Sequence, residues 1–153
     1  MNTAGVIGLG DMGSGLAKNL IKNDFFVTGA DLLPHRQRAF RDMGGQLCRS
    51  PSEVGRDADA VFIMVMTGEE VKNVIFGDDG LLTSMPKGSA IILSATIKPQ
   101  EAREIGALMV GSGIDLIDTP VSGGFPGAQS GSLTLMAAAP DSTLDAFLPY
   151  LEA

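Results

Sequence analysis

The sequence predicts an α/β fold in which a doubly wound, mainly parallel sheet carries helices on both faces. Short apolar runs alternate along the chain with longer amphipathic segments, and several runs are apolar without a break, as in residues 61–65. Strands that are buried on both faces show this pattern, and such strands belong to parallel sheets. Strands and helices that alternate in this order form right-handed β-α-β crossovers.

The predicted strands are short segments that share this apolar character. They are residues 4–9, 27–31, 46–48, 60–65, 89–93, 114–118 and 133–137. No linker or low-complexity segment interrupts the pattern, so we predict one domain over residues 1–153. This length is sufficient for a full hydrophobic core.

Capping residues mark the starts of the predicted helices. A serine or threonine placed three residues before a glutamate satisfies free amides of the first turn, and proline suits the first helical position. The predicted starts are residue 14, Ser50 with Pro51 and Glu53, Thr67 with Glu70, Pro99, and Asp141.

Composition and charge restrict the function classes. The apolar fraction of 44% and the net charge of −7 indicate a soluble domain that repels phosphate backbones, so nucleic acid is not an expected partner. No apolar run reaches the roughly 18 residues that cross a bilayer. No basic segment precedes the first apolar run, so we expect neither a membrane partner nor a secretory signal. A cytoplasmic location is therefore predicted.

The single cysteine, Cys48, falls in the predicted strand 46–48. A lone cysteine cannot form an internal disulfide and has no partner for a zinc site. We expect a small buried side chain there, in keeping with a reducing compartment. No cluster of histidine and cysteine residues predicts a metal site.

A glycine-rich segment follows the first predicted strand and precedes a helix. It matches the G-x-G-x-x-G spacing of dinucleotide-binding folds of the Rossmann type. Its glycines permit a tight turn and a close approach of backbone to a pyrophosphate, which the helix N-terminus then attracts. The alternative is a glycine-rich turn that binds no ligand. The predicted cofactor-binding residues here are Gly8, Leu9, Gly10, Asp11, Met12 and Gly13.

Asp31 ends the second predicted strand, about 20 residues after this glycine segment. A carboxylate there accepts hydrogen bonds from the ribose hydroxyls and repels a 2′-phosphate, so the predicted cofactor is NAD rather than NADP. Leu32 follows directly and is included in the site. Arg36 and Arg38 stand nearby and count against this preference. The alternative for Asp31 is a polar strand end without a ligand.

A second glycine-rich segment, residues 118–132, follows the sixth predicted strand. Glycine-rich backbone at the carboxyl end of a strand presents amides to an anion, so this segment is a candidate site for a substrate carboxylate near the cofactor. Its composition is equally that of a mobile connecting loop.

Together these segments resemble the β-hydroxyacid dehydrogenase family, which includes 3-hydroxyisobutyrate dehydrogenase. The first is similar to the family pattern G-L-G-x-M-G-x-x-x-A-x-N-L. The second is similar to D-A-P-V-S-G-G-x-x-G-A-x-x-G-T-L-T, with Thr119 for alanine and Ser132 for threonine. Asp31 and Leu32 resemble the threonate dehydrogenase branch. The resemblance covers nearly the whole chain.

The resemblance implies further site residues. Val65, Met66 and Thr67 would line the adenosine side of the cofactor. Thr96 matches a family segment beside the nicotinamide, although Leu93 and Ala95 depart from its aspartate and serine. Ser122, Gly123 and Gly124 would bind the substrate carboxylate.

The resemblance also implies the reaction, a hydride transfer between nicotinamide and a small 3-hydroxy acid or its semialdehyde. The family's catalytic lysine and its helical second domain are expected beyond Ala153. We therefore expect this chain alone to be inactive, and the full-length protein to be a homo-oligomer.

Other functions remain open at this point. The same motifs fit a stand-alone NAD-binding regulatory module, and they fit the cofactor domain of an imine or other carbonyl reductase. A serine hydrolase would need His35 as its base, but that histidine is predicted at a surface helix start.

Overall fold

The computed structural model describes residues 2–153 and contains the predicted parallel sheet. Its strands pair in the order β3-β2-β1-β4-β5-β6, and every pairing in this sheet is parallel. The six strands are β1 (Thr3–Ile7), β2 (Phe26–Ala30), β3 (Gln46–Leu47), β4 (Ala60–Ile63), β5 (Ala90–Leu93) and β6 (Asp115–Asp118). The α/β, Rossmann-type fold class is confirmed.

Seven helices connect or follow these strands within the described residues. They are α1 (Asp11–Lys22), α2 (Pro34–Asp42), α3 (Pro51–Gly55), α4 (Gly68–Phe76), α5 (Pro99–Met109), α6 (Gly124–Ser130) and α7 (Asp141–Leu151), and a 3₁₀ turn covers Leu81–Thr83. Among the described residues, no helix has both the length and the apolar character that a membrane crossing requires.

Two of the predicted caps form as the sequence indicates. The Ser50 hydroxyl accepts a hydrogen bond from the backbone N–H of Glu53, and the Thr67 hydroxyl accepts one from that of Glu70. Because the Glu70 carboxylate also accepts the N–H of Thr67 at 3.0 Å, α4 begins with a complete capping box. The last helix differs, since Pro140 occupies the cap position before Asp141.

Buried side chains form two cores, one on each face of the sheet. Neighbouring residues of a strand point to opposite faces, so Val6 and Phe62 join one core, whereas Ile7 and Ile63 join the other. The first core also takes side chains of α1, α2 and α7, and the second takes those of α3, α4 and α5. This arrangement explains the uninterrupted apolar runs of the strands.

The segment 133–137 differs from its prediction as a further strand of the main sheet. It forms β8 (Thr134–Leu135), which pairs antiparallel with β7 (Val121–Ser122) in a separate two-stranded sheet. Its side chains alternate between half-buried and exposed, so it does not fit a position buried on both faces.

Cys48 follows β3 and is partly buried against the core that contains Ile7. Its backbone N–H continues the sheet by donating to Gly29. Burial is the main cause that raises the pKa of its thiol. A raised thiol pKa means little thiolate at neutral pH, in keeping with a packing role.

Candidate cofactor and substrate site

The predicted site residues follow the carboxyl ends of neighbouring strands, which lie at one edge of a parallel sheet. The first glycine segment follows β1, and Asp31 and Leu32 follow β2. The segment 65–67 follows β4, and Thr96 follows β5. Since β1 and β4 are neighbours at the point where the strand order reverses, this edge is where ligands of open α/β sheets bind.

Two glycines of the first segment are required by the fold itself. Gly8 has a φ of +90°, and a Cβ there would lie 2.5 Å from the carbonyl oxygen of Met64. A Cβ on Gly13 would overlap the carbonyl oxygen of Gly8. These glycines therefore let α1 start immediately against β1 and β4.

Gly10 is different, because nothing in the backbone requires glycine there. Its φ is −70°, which any residue adopts, and the three atoms nearest to an added Cβ belong to the guanidinium group of Arg36, at 3.4–3.5 Å. Glycine at this position keeps a Cβ out of the space above the turn, which the flexible guanidinium group of Arg36 borders. Backbone that is free of a Cβ is what a pyrophosphate needs for close approach.

The N-terminus of α1 has free hydrogen-bond donors beside this space. Gly10 is the N-cap residue and makes no side-chain capping bond, whereas α3 and α4 are capped by Ser50 and Thr67. The amides of the first helical turn have no partner within the helix, and the helix dipole adds a partial positive charge. The donors and the backbone without a Cβ at Gly10 together fit an anionic phosphate group.

The Asp31 carboxylate is held by backbone donors. One oxygen, Oδ2, accepts the N–H of Leu9 at 2.7 Å, and Oδ1 accepts the N–H of Leu33 at 2.8 Å. Arg36 contributes a longer contact, with Nη1 at 3.5 Å from Oδ2. Asp31 thus fixes the glycine segment to the end of β2. A carboxylate oxygen accepts more than one hydrogen bond, so capacity remains for ribose hydroxyls.

Large apolar side chains flank this site. Leu32 is 95% exposed and Met66 is 84% exposed, and they follow the strands on either side of β1. Val65 packs partly against the core instead. The hydroxyl of Thr67 is occupied as the cap of α4. Leu32 and Met66 are therefore the members of this group that present free apolar surface to a ligand.

Thr96 is exposed after β5, but a nearby hydroxyl was missed by the sequence analysis. Ser94 is 1% exposed, and its Oγ has no hydrogen-bond partner among the described residues. Its backbone N–H donates to Ile63, so it lies beside β4 at the same edge. A serine at the end of an otherwise apolar run was the available signal.

The second glycine segment contains a helix that its composition did not predict. Gly123 has a φ of +129°, which reverses the chain between β7 and α6. Ser122, Gly123 and Gly124 are all exposed at this turn. The turn leaves the predicted carboxylate-binding residues accessible.

Helix α6 packs directly on α1, which places the two glycine segments side by side. A Cβ on Gly15 would lie 2.6 Å from backbone atoms of Ala128. The side-chain amide of Asn19 donates to the carbonyl oxygens of Gly15 and Ala128, both at 2.8 Å. Asn19 is the asparagine of the family pattern G-L-G-x-M-G-x-x-x-A-x-N-L, but the sequence alone assigned it no role.

The carboxyl end of the sheet carries a further acidic side chain in addition to Asp31. Asp118 ends β6, and burial raises the pKa of its carboxyl group above the usual range. Lys98 is exposed just before α5, where its backbone N–H donates to Glu101. His35 is exposed on α2 and belongs to neither glycine segment in the sequence.

Comparison with known proteins gives one family and several relatives. The family model described as the NAD binding domain of 6-phosphogluconate dehydrogenase matches residues 3–153. L-threonate dehydrogenase of Cupriavidus necator is 40% identical over 136 residues, which are 89% of this chain and 46% of that protein. The mitochondrial 3-hydroxyisobutyrate dehydrogenase of Mus musculus is 36% identical over 148 residues, or 97% and 44% of the two chains.

Solved structures agree with this comparison. The crystal structure of 3-hydroxyisobutyrate dehydrogenase from Salmonella typhimurium superposes with a TM-score of 0.93 at 32% identity, covering 100% of this chain and 53% of that one. Psf3 in complex with NADP+ and 2-OPP has a TM-score of 0.90 at 27% identity, with 97% of this chain and 53% of that one covered. The chain spans about half the length of the curated relatives it matches.

Proposed function

The chain belongs to the family described as the NAD binding domain of 6-phosphogluconate dehydrogenase, and from this premise we propose a specific role for it. Residues 1–153 form the NAD-binding domain of an oxidoreductase. The whole enzyme transfers a hydride between nicotinamide and a small 3-hydroxy acid or its semialdehyde. The substrate class is supported by the names of the relatives, L-threonate dehydrogenase and 3-hydroxyisobutyrate dehydrogenase.

The observation that carries this proposal is the absence of a side chain at Gly10, beside the uncapped start of α1. The fold requires glycine at positions 8 and 13, but at position 10 it only keeps a Cβ out of the space beside the uncapped start of α1. A structural turn without a ligand gives no reason for this third glycine. A bound pyrophosphate gives one.

The residues around this space fit the remaining parts of the cofactor. Asp31 accepts the ribose hydroxyls, which favours NAD over NADP. The adenosine lies along Leu32, Val65, Met66 and Thr67, and the exposed side chains of Leu32 and Met66 supply most of the apolar contact. Thr96 lies beside the nicotinamide, which accepts or donates the hydride when the cofactor is bound.

The substrate carboxylate binds at Ser122, Gly123 and Gly124. These residues are exposed, and the contact between α6 and α1 holds their segment beside the cofactor loop. The hydroxyl proton of the substrate needs an acid or base, and we assign that role to no residue of this chain. The partners that we propose for this chain are small molecules and, in the full-length enzyme, further copies of the same protein.

The cytoplasmic location is part of this proposal. The relative from Mus musculus is named as mitochondrial, so the two locations need to be compared directly. Fractionation of cells that express the natural protein, with cytosolic and organelle markers, distinguishes them. Recovery with the organelle markers contradicts a cytoplasmic location.

Calorimetric titration with NAD tests the cofactor site through Gly10→Ala. The substitution adds one methyl group whose three nearest atoms belong to the flexible end of Arg36, so we expect the fold to be kept. We expect the affinity for NAD to fall by about tenfold or more, because the methyl group blocks close approach of the pyrophosphate.

Gly106→Ala is the matched control. This glycine lies within α5, and the nearest atom to an added Cβ belongs to Leu116 at 3.7 Å. The control variant should bind NAD as the unmodified chain does. Equal affinities of the Gly10→Ala variant and the unmodified chain contradict the proposal, as does a chain that binds no NAD.

A further inference from the structure

We propose that Arg36 determines cofactor specificity by binding a 2′-phosphate, so that this chain accepts NADP as well as NAD. The inference rests on the proposed cofactor site and deepens it. Asp31 still favours NAD, but Arg36 reduces the difference between the two affinities. The chemical group that Arg36 recognises is the phosphate monoester on the adenosine ribose.

The position of the Arg36 guanidinium carries the first part of the argument. Its carbon and two terminal nitrogens lie 3.4–3.5 Å from the place that a Cβ on Gly10 would occupy. Its Nη1 atom also lies 3.5 Å from Oδ2 of Asp31. The guanidinium therefore spans the gap between the residue assigned to the pyrophosphate and the residue assigned to the ribose. A 2′-phosphate is attached to that ribose, beside Asp31.

The balance of exposed charge carries the second part. The Asp31 side chain is only 6% exposed, and each of its oxygens already accepts a backbone N–H. The Arg36 side chain is 40% exposed. The charge that this pair presents to an incoming ligand is therefore mainly the positive charge of Arg36. Backbone donors and the guanidinium also offset the repulsion between Asp31 and a phosphate.

Hydrogen bonds of the first turn of α2 fix the backbone of Arg36 near the end of β2. Its N–H donates to the carbonyl oxygen of Leu33 in the first turn of α2. The neighbouring side chain of Gln37 donates to the carbonyl oxygen of Asp31 at 2.7 Å, which ties this turn to the end of β2. The guanidinium has five N–H donors and uses one on Asp31 at long distance, so a planar pair of donors remains for a phosphate.

A purely structural ion pair is the competing explanation. A contact of 3.5 Å between partly exposed groups contributes little to stability, because solvent screens it. That explanation predicts that removing Arg36 affects both cofactors equally. A phosphate-binding role predicts that the ratio of the two affinities changes.

Calorimetric titration with NAD and NADP, on the unmodified chain and on Arg36→Ala, separates these explanations. We expect the unmodified chain to bind NADP within about tenfold of NAD, since Arg36 offsets the effect of Asp31. Arg36→Ala should lower the affinity for NADP by about tenfold or more, which corresponds to one charge-assisted hydrogen bond. The affinity for NAD should change much less.

Arg38→Ala is the matched control, because Arg38 is exposed on the same helix and its substitution removes the same charge. It should leave the ratio of affinities unchanged. Adenosine 2′,5′-bisphosphate and ADP serve as smaller probes that differ at the 2′ position, and only the first should lose affinity with Arg36→Ala. An equal change for both cofactors, or the same result with Arg38→Ala, overturns this inference alone. Failure of the unmodified chain to bind either cofactor overturns the proposed function as well.

Discussion

The side-chain amide of Asn19 donates a hydrogen bond of 2.8 Å to the carbonyl oxygen of Ala128, across 109 residues of sequence. Asn19 lies in α1, which begins in the first glycine segment, and Ala128 lies in α6, which begins in the second. Because both groups are buried, neither has water as a substitute partner. This bond makes the two glycine segments parts of one packed unit.

Replacing Asn19 with alanine should destabilise the domain more than replacing an exposed asparagine. The change leaves the buried carbonyl oxygen of Ala128 without a donor, which costs about 1–3 kcal/mol. The control is Asn23→Ala, since Asn23 makes a similar bond to a backbone carbonyl at an exposed helix end. Urea unfolding measures both variants. Equal losses would show that the Asn19 bond contributes nothing beyond a surface bond.

Gly15→Ala should force α1 and α6 apart. An added methyl group would lie 2.6 Å from the backbone of Ala128, and backbone cannot rotate away as a side chain can. We expect a loss of about 1–3 kcal/mol from overpacking, measured by thermal unfolding. By contrast, Gly106→Ala lies in a helix with room for the methyl group and should stabilise the domain by about 0.5–1 kcal/mol. A stabilised Gly15→Ala variant contradicts the close packing.

Asp31→Ala should weaken the binding of NAD and shift preference toward NADP. The variant loses the acceptor for ribose hydroxyls, and it also frees Arg36 from its only ion pair among the described residues. We expect NAD to lose about tenfold in affinity, whereas NADP loses less or gains. Titration with each cofactor measures the shift. If both affinities fall together, Asp31 acts only by holding the N–H of Leu9.

Tyr150 should give the domain a pH-dependent contribution to stability at alkaline pH. Its hydroxyl donates to Asp59 at 2.9 Å. Burial first, and then the hydrogen bond and the charge of Asp59, raise the pKa of Tyr150 well above its usual value. A raised pKa in the folded state means that the contribution is fully present below the unfolded pKa of about 10 and is lost as pH rises beyond it.

Tyr150→Phe provides the comparison. At pH 8 the variant should be less stable by about 1 kcal/mol, the usual net value of such a hydrogen bond. Above about pH 10 the difference should shrink, because the unfolded tyrosine ionises and only the unmodified chain is affected. Urea unfolding at both pH values tests this. A difference that is constant across pH contradicts the role of the hydroxyl.

Sequence patterns predicted the main sheet because its strands are buried on both faces and leave an unambiguous apolar signal. The caps at Ser50 and Thr67 were equally predictable, since each depends on residues three positions apart. Helix α6 was not predictable, because glycine and proline disfavour helices and only its packing on α1 compensates. The link through Asn19 was missed for the same reason, since it depends on a contact between distant segments.

Within the candidate site, sequence spacing predicted which residues follow which strands. It did not predict that Asp31 would be nearly buried while Arg36 lies over Gly10, because side-chain direction depends on where α2 begins. Ser94 was missed because burial without a partner is a property of packing rather than of pattern.

The bond between Tyr150 and Asp59 lies at the opposite end of the strands from the first glycine segment. Asp59 also accepts the N–H of Thr3, so it ties the starts of β1 and β4 to the last turn of α7. Stability against unfolding and the proposed cofactor binding therefore depend on opposite ends of the same strands. Protein engineers can vary the residues around Asp59 to increase stability without changing the residues that bind the cofactor. They can equally redesign the opposite end for another cofactor while the contacts of Asp59 hold this end of the sheet together.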